Sequence, residues 1–317
     1  MSPPRRLLWR SRSDMWKLDP KPVLFGLASA MLVLSLASVL MPTSEDFQQS
    51  NTYWNGLSTF FGALKATPLD VALYKVVPEN SALFLIGPSS NITEPRLKAL
   101  KSYVSEGGTL ILMDETGAIN SLLSSFELGI AVDGHFMFDP VFYYGSWKLP
   151  KILNIGGGAL TSGVESIALN LPSILKLNSS SSNLRVLARS SSFSFLDLDG
   201  DCEPSLEEPA GPFVVAVEVP YGKGRVIVFS DSSLFLNGVI GLGDNLRILE
   251  NIARGKAVFV DVGVWQPSPQ LAYRSAVLNA YNIISAPELK YTLAFIAVAV
   301  ICILTFREDR TLKPDEV

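Results

Sequence analysis

Polar and apolar positions along this chain follow two kinds of pattern. Near each end lies an apolar run without a charge, and between them short apolar runs alternate with amphipathic stretches. The first charge-free run, "VLFGLASAMLVLSLASVLM" from Val23 to Met41, has 19 residues. As a helix it reaches roughly 28 Å, enough to cross the hydrocarbon core of a bilayer. The second, "YTLAFIAVAVICILTF" from Tyr291 to Phe306, is shorter, but Lys290 and Arg307 flank it and can snorkel outward. The first run exceeds a secretory h-region, and "SVLMPTSED" offers no A-x-A cleavage site, so it predicts an uncleaved anchor.

The intervening segment alternates helix and strand signals. "NGLSTFFGALKA" (55–66) predicts a first helix, followed by the short run "VALYKV". "ALFLIGP" is a continuous apolar run ending in Gly87-Pro88, the pattern of a strand buried on both faces. Thr93 can cap a helix that lines up Leu97, Leu100, Tyr103 and Val104, with Gly107-Gly108 as its stop. "TLILM" predicts another buried strand, and a helix is expected around Ile119 to Leu128. This order argues for a parallel sheet with helices on its faces. Residues 130–185 give no clean period, and Ser179 to Ser182 read as a surface turn or linker. "FVVAVEV" and "RVIVFS", joined by Pro220 to Gly224, read as a hairpin. Asp244 can cap a helix placing Leu246, Leu249, Ile252 and Ala253 on one face, stopped by Gly255. A last strand, "AVFVDVGV", precedes a polar stretch and the second apolar run.

Composition sharpens this picture. The chain has 317 residues, 48% hydrophobic and 18% charged, with a mean hydropathy of +0.30, too apolar for a disordered chain. A net charge of −4 without a basic footprint argues against nucleic acid as a partner. Two cysteines and one histidine argue against a disulfide framework and a His/Cys zinc site. Arg5, Arg6, Arg10, Arg12, Lys17 and Lys21 precede the first run, and Arg307, Arg310 and Lys313 follow the second. By the positive-inside rule both ends are cytoplasmic. The expected organisation is a basic tail (1–22), a transmembrane helix (23–41), an extracytoplasmic α/β domain (42–288), a second transmembrane helix (289–306) and a cytoplasmic tail (307–317). Gly26 and Ala30 share a face of the first span and would permit close helix packing.

Candidate chemistry is sparse. Gly222-Lys223-Gly224 lacks the G-x-x-x-x-G-K-[ST] frame and runs into a strand, so it reads as a turn and not a phosphate loop. Gly156-Gly157-Gly158 also lacks a strand-to-helix frame and reads as a loop. His135 has no metal-type partner in sequence, and Cys202 stands between Asp201 and Glu203, whose charges disfavour a thiolate. Cys302 lies in the second apolar run, and no G-x-S-x-G elbow occurs. Asp114, Glu115 and Asp231 follow predicted strands, where open α/β sheets bind ligands, so they are candidate ligand-binding residues. The local alternative is that they cap the next turns. "DLDGDCEPSLEE" places Asp197, Asp199, Asp201 and Glu208 at positions 1, 3, 5 and 12 of a calcium-type loop. Position 6 is Cys202 where an EF-hand has glycine, leaving a calcium loop of another type or a solvated acidic turn. Asn91 and Asn178 begin glycosylation sequons.

From Asn51 to about Ala253 the chain resembles an uncharacterised family of membrane-anchored domains of unknown function, DUF4350-type. The likeness is carried by "NTYWNG" (51–56), "LFLIGPSSNITEPRLKALKSYVSEGGTLILMDETGAINSLL" (83–123), "FLDLDGDCEPSLEEPAGP", "GPFVVAVEVPYGKGRVIVFSDSSLFLN" (211–237) and "GDN" (243–245). This family is related to the class I glutamine amidotransferase-like fold and to auxiliary domains of gliding-motility-type ABC transporters. The resemblance therefore implies a flavodoxin-like sheet with an added hairpin. It implies no activity, because the amidotransferase elbow with its nucleophilic cysteine is missing. The expected function is a non-catalytic binding or scaffolding domain of a membrane transport or envelope assembly, with membrane-protein partners. The alternatives are an envelope hydrolase or transferase using Asp114, Glu115 and Asp231, and a calcium-stabilised structural module.

Overall fold

The computed structural model describes residues 20–41, 43–89, 92–178, 183–266, 268–286, 289–292, 294–296, 298–299 and 302. The chain divides into two compact units, Pro42–Gln266 and the pair Met1–Met41 with Pro267–Val317. In the second of these, helix α1 (Pro20–Leu40) contains the segment Pro22–Leu40, long and apolar enough to cross a membrane and wholly unburied. Large apolar side chains such as Leu24, Phe25, Leu32 and Leu36 are exposed along it. Among the described residues it is the one helix that meets this test. Much of the run 291–306 lies outside the described residues, and its described positions are helical. Nothing lies within 4 Å of a Cβ built at Gly26, so the small face of α1 is open.

The elements of the body, in chain order, begin with α2 (Ser58–Leu64), β1 (Thr67–Leu69), β2 (Ser81–Ile86), α3 (Glu94–Ser105), β3 (Thr109–Met113) and α4 (Asn120–Ser125). A run of short strands follows: β4 (Ile130–Val132), β5 (Phe136–Phe138), β6 (Tyr143–Tyr144), β7 (Ser146–Ile152), β8 (Asn154–Ile155), β9 (Ile167–Ala168), β10 (Leu175–Leu177), β11 (Arg185–Arg189) and β12 (Phe195–Asp197). The body ends with β13 (Val214–Tyr221), β14 (Gly224–Phe229), α5 (Asn245–Ala253) and β15 (Ala257–Asp261).

Eight strands form one sheet in the order β1-β15-β2-β3-β14-β13-β11-β8. The first five run parallel, and the last three continue the sheet antiparallel. Numbered by their occurrence, the parallel strands lie 1-5-2-3-4, which differs from the 2-1-3-4-5 order of flavodoxin. The expected hairpin forms, but it is no appendage: β14 pairs with β3 and is one of the parallel strands.

The apolar runs are continuous because both faces of the sheet are covered. Ala82, Phe84, Ile86, Ile111, Met113, Ile227 and Phe229 face one core with α2 and α5. Leu83, Leu85, Leu110, Leu112, Val226 and Val228 face the other with α3 and α4. The period-2 alternation is present, yet both sets are apolar, so the sequence shows an unbroken run.

Several expectations are corrected. The run "VALYKV", left without an element type by its sequence, is irregular with a turn at 71–73, and the edge strand Thr67–Leu69 just before it was not expected. On α5 the buried face is Ile248, Leu249 and Ile252 with Asn245 and Asn251, while Leu246 is exposed, because Asn245 is drawn inward by hydrogen bonds. Neither Thr93 nor Asp244 makes a side-chain cap bond, although each occupies the N-cap position. The polar stretch before the second run holds a 17-residue helix, α6 (Pro269–Ser285), begun by Ser268 capping Leu271 N–H at 3.2 Å and by Pro269. Within its unit, Tyr273 Oη meets Ser35 Oγ at 2.7 Å and Arg274 Nη1 donates to Met41 O at 2.8 Å.

Residues 130–185 lacked a period because their strands are two to seven residues long and pair out of sequence. β4 pairs with β10, β5 with β12, and β6-β7-β9 form a small sheet.

Candidate functional site

The candidate carboxylates Asp114, Glu115 and Asp231 are brought together. Met113 and Phe229 are partners in the parallel pairing of β3 and β14, so the residues beyond them emerge side by side. Gly87, after β2, joins them; a Cβ there would sit 3.3 Å from Ser232 Cβ and 2.7 Å from the Phe47 ring. Its φ of +48° also suits glycine.

The oxygens of this cluster are mostly in use. Asp114 Oδ1 accepts from Thr116 N (2.9 Å) and Thr116 Oγ1 (2.7 Å), and its Oδ2 accepts from Ile119 N (3.0 Å). Asp231 is fully buried; its Oδ2 accepts from Asn170 N at 2.7 Å and its Oδ1 from Ser233 N at 2.6 Å. Glu115 Oε2 accepts from Ser232 N at 2.8 Å. Among the described residues the buried Ser232 hydroxyl finds no hydrogen-bond partner. Burial, reinforced by the Glu115 charge, pushes the Asp231 carboxyl up to about 8. Burial also raises Glu115, with Asp114 adding to it and Ser232 opposing it. Two neighbouring carboxyls in a dry site thus favour at least one proton between them. Over this edge Phe47 stacks on Trp265, with ring centroids 6.1 Å apart, and Trp265 Nε1 donates to Ile86 O at 2.7 Å.

The acidic loop converges in part. Asp197, Asp199 and Glu208 place one carboxylate oxygen each within 4.8 Å of one another, a set that suits a hard cation. Asp201, the fourth expected ligand, stands outside that set, and its Oδ1 accepts from Glu203 N at 2.7 Å. The other acids are engaged too: Asp197 with Gly200 N, Asp199 with Asp201 N, and Glu208 with Leu198 N and Ser205 N. Asp197 ends β12, so the loop leaves a strand and not the helix of an EF-hand.

Gly222-Lys223 is the tight turn of the β13–β14 hairpin, with Tyr221 opposite Gly224. Exposed His135 pairs through Nδ1 with Asp133 Oδ1 at 2.5 Å. Asp133 is raised by burial, but Lys176 and His135 outweigh this and hold it below the usual carboxylate range. Asn178 is exposed after β10, whereas Asn91 lies outside the described residues.

The family model for a domain of unknown function, DUF4350, matches residues 49–253. This chain belongs to the DUF4350 family. A comparison with curated proteins returns no match. Among solved structures, the DUF4350 chain is similar to the mmIFT52 N-terminal domain at 17% identity, covering 56% of this chain and 78% of that one, with a TM-score of 0.44. A putative thua-like protein from Bacteroides uniformis shares 12% identity over 76% of this chain and 87% of its own, with a TM-score of 0.35. A beta-galactosidase from Bacillus circulans sp. alkalophilus shares 14% over 56% of this chain, which spans 25% of the enzyme, with a TM-score of 0.33.

Residues that sequence reasoning did not single out organise the DUF4350 body. Asn245 is wholly buried: its Oδ1 accepts from Ala168 N, and its Nδ2 donates to the carbonyls of Ala168, Leu234 and Val239. Asn237 accepts from Thr59 N and donates to Asn51 O and Tyr53 O, joining "NTYWNG" to the segment after β14. Arg96 on α3 binds Asp261 Oδ2 through Nε at 2.8 Å and Asp70 Oδ1 through Nη2 at 2.6 Å. Asparagines in Gly-rich motifs are a readable signal for such backbone ties. The Arg96 triad has none, because its members lie 26 and 165 positions apart.

Proposed function

We propose that this DUF4350 protein is a membrane-anchored, non-catalytic α/β domain serving as the binding or scaffolding part of a membrane assembly. The observation that carries this reading is the closed carboxyl edge of its parallel strands. That edge is where open α/β sheets take ligands. Here Phe47 and Trp265 lie over it, and both oxygens of Asp114 and of Asp231 accept protein hydrogen bonds. The apolar Pro22–Leu40 helix supports anchoring. In this reading the run 291–306 supplies a second span, both ends are cytoplasmic and the body faces outward. The likeness to transporter auxiliary domains is the reason for placing it beside transport or envelope components.

A second reading has its own support: beside Glu115 the buried Ser232 hydroxyl has no hydrogen-bond partner among the described residues, and Asp231 holds its proton to about 8. Those are the parts of a general-acid site for an envelope hydrolase or transferase. One experiment separates the two. Full-length protein and Asp231→Asn are purified in neutral detergent and compared for co-purifying membrane proteins and for turnover of ester, phosphoester and glycoside substrates. The binding reading expects the same partners from both and no turnover. Turnover by the wild type that vanishes in the variant would establish the enzyme instead. Calcium is the cation the Asp197–Asp199–Glu208 loop would take. A thermal melt should then rise with calcium over chelator, and an unchanged midpoint removes the ion from the account.

A further inference from the structure

The opposite edge of the parallel sheet carries a different kind of feature. A cleft of about 560 Å³ opens there, lined at its amino ends by Ser81, Thr109 and Gly224 and flanked by Arg185, Lys223, Arg225 and Lys256. Four cations thus line the cleft against one carboxylate, Glu218. Glu218 is nearly buried, and both its oxygens are taken: Oε1 by Arg225 Nη1 at 2.9 Å and Oε2 by Arg185 Nη2. This holds the two guanidiniums in place while leaving most of their five N–H donors each for another acceptor. Arg185 is fixed further by packing on Gly158, where a Cβ would come within 2.6 Å of Nη1.

Lys223 and Lys256 form no ion pair among the described residues, so the cleft keeps a surplus of positive charge. Like charges gathered in a partly enclosed space repel one another, and the repulsion grows as water is excluded. Lys256 registers this: burial first, and then Arg225, hold it below the usual lysine range. A bound anion would reverse both the repulsion and the unmet donor capacity.

We propose that this cleft is a binding site for a phosphate-type oxyanion, with Lys223 and Lys256 as its charge contacts and Glu218 as the residue that positions Arg185 and Arg225. Its volume falls in the range of small-molecule sites, so the cleft has room for a group larger than the oxyanion itself. A phosphorylated solute and a phospholipid headgroup present the same chemistry. The site is independent of the carboxyl-edge cluster and of whether that cluster reacts.

The test uses full-length protein in neutral detergent, titrated calorimetrically with pyrophosphate and, separately, with monomeric dihexanoyl phosphatidic acid. Saturable binding of either supports the site, and the better-bound probe identifies the source as solute or lipid. The double variant Lys223→Gln/Lys256→Gln should weaken that binding about tenfold or more, as for loss of charge-assisted hydrogen bonds. Lys148→Gln, exposed on β7 and outside the cleft, should leave it unchanged. An unaltered thermal midpoint in both variants ties the loss to binding and not to folding. Absence of saturable binding to both probes, or equal binding by the double variant, overturns the proposal.

Discussion

Asp231 has no route to water and keeps its proton to about pH 8, whereas in an unfolded chain it would lose it near about pH 4. Between those values the folded state binds the extra proton, so stability from this group is greatest at low pH and falls as pH rises toward 8. Glu115, also raised, acts in the same direction. Asp231→Asn should therefore flatten the decline of the urea midpoint between pH 5 and 8. At pH 5 it should lose about 1–2 kcal/mol, because an amide can accept only one of the two backbone bonds well. An identical slope in wild type and variant would mean Asp231 is ionised in the fold. A second residue-scale expectation concerns Gly224, where a Cβ would lie 2.2 Å from Gly108 O and 2.4 Å from Val104 O. Gly224→Ala should cost about 2 kcal/mol or more in a denaturation measurement, since backbone must move. Gly157→Ala, with nothing within 4 Å, should stay within about 0.5 kcal/mol of wild type. That Gly222-Lys223-Gly224 is a turn was legible from the missing P-loop frame; that it sits against the end of α3 and borders a cationic cleft was not.

Elements built from one continuous signal were readable from sequence: β2, β3, β13 and β14 as apolar runs, and α3 from its Leu100–Tyr103–Val104 face. Pairings between distant partners were not. β15 was legible as a strand but its place between β1 and β2 was not, and the short strands of residues 130–189 find partners across the chain, β5 with β12 and β11 with β13. α6 had a local Ser268-Pro269 start signal, masked by the polar side chains that follow. The carboxyl cluster was legible as strand ends, while its occupancy by backbone amides could not be read from residue types. The Arg96 triad ties α3 to the ends of β1 and β15 in the same nonlocal way. Burial raises Asp261, and Arg96 opposes that rise. Arg96→Met should thus cost about 3–5 kcal/mol by leaving a buried acid without its partner. Adding Asp261→Asn should recover part of this loss, which a double-mutant cycle on urea midpoints would resolve. Strictly additive losses would show that the pair is uncoupled.

At the scale of the whole molecule, the two units differ in how their apolar side chains are disposed. Both hydrophobic cores draw their buried members from residues 57–264, and the partly buried side chains packed on them run from Phe47 to Trp265. α1 buries none of its apolar segment, and α6 has no buried side chain. The apolar excess that makes the overall hydropathy positive thus has two separate origins, a body closed on itself and helices that are not. Residues 43–266 produced alone should be water-soluble and unfold in one cooperative transition, because a two-faced sheet of this size buries its apolar surface unaided. The thermal midpoint should lie close to that of the full-length chain in mild detergent. Association with membranes should require the terminal apolar segments: the full-length chain should resist alkaline extraction, and residues 43–266 alone should be released. Aggregation of the isolated body, or its loss of a cooperative melt, would mean that the terminal helices complete its core.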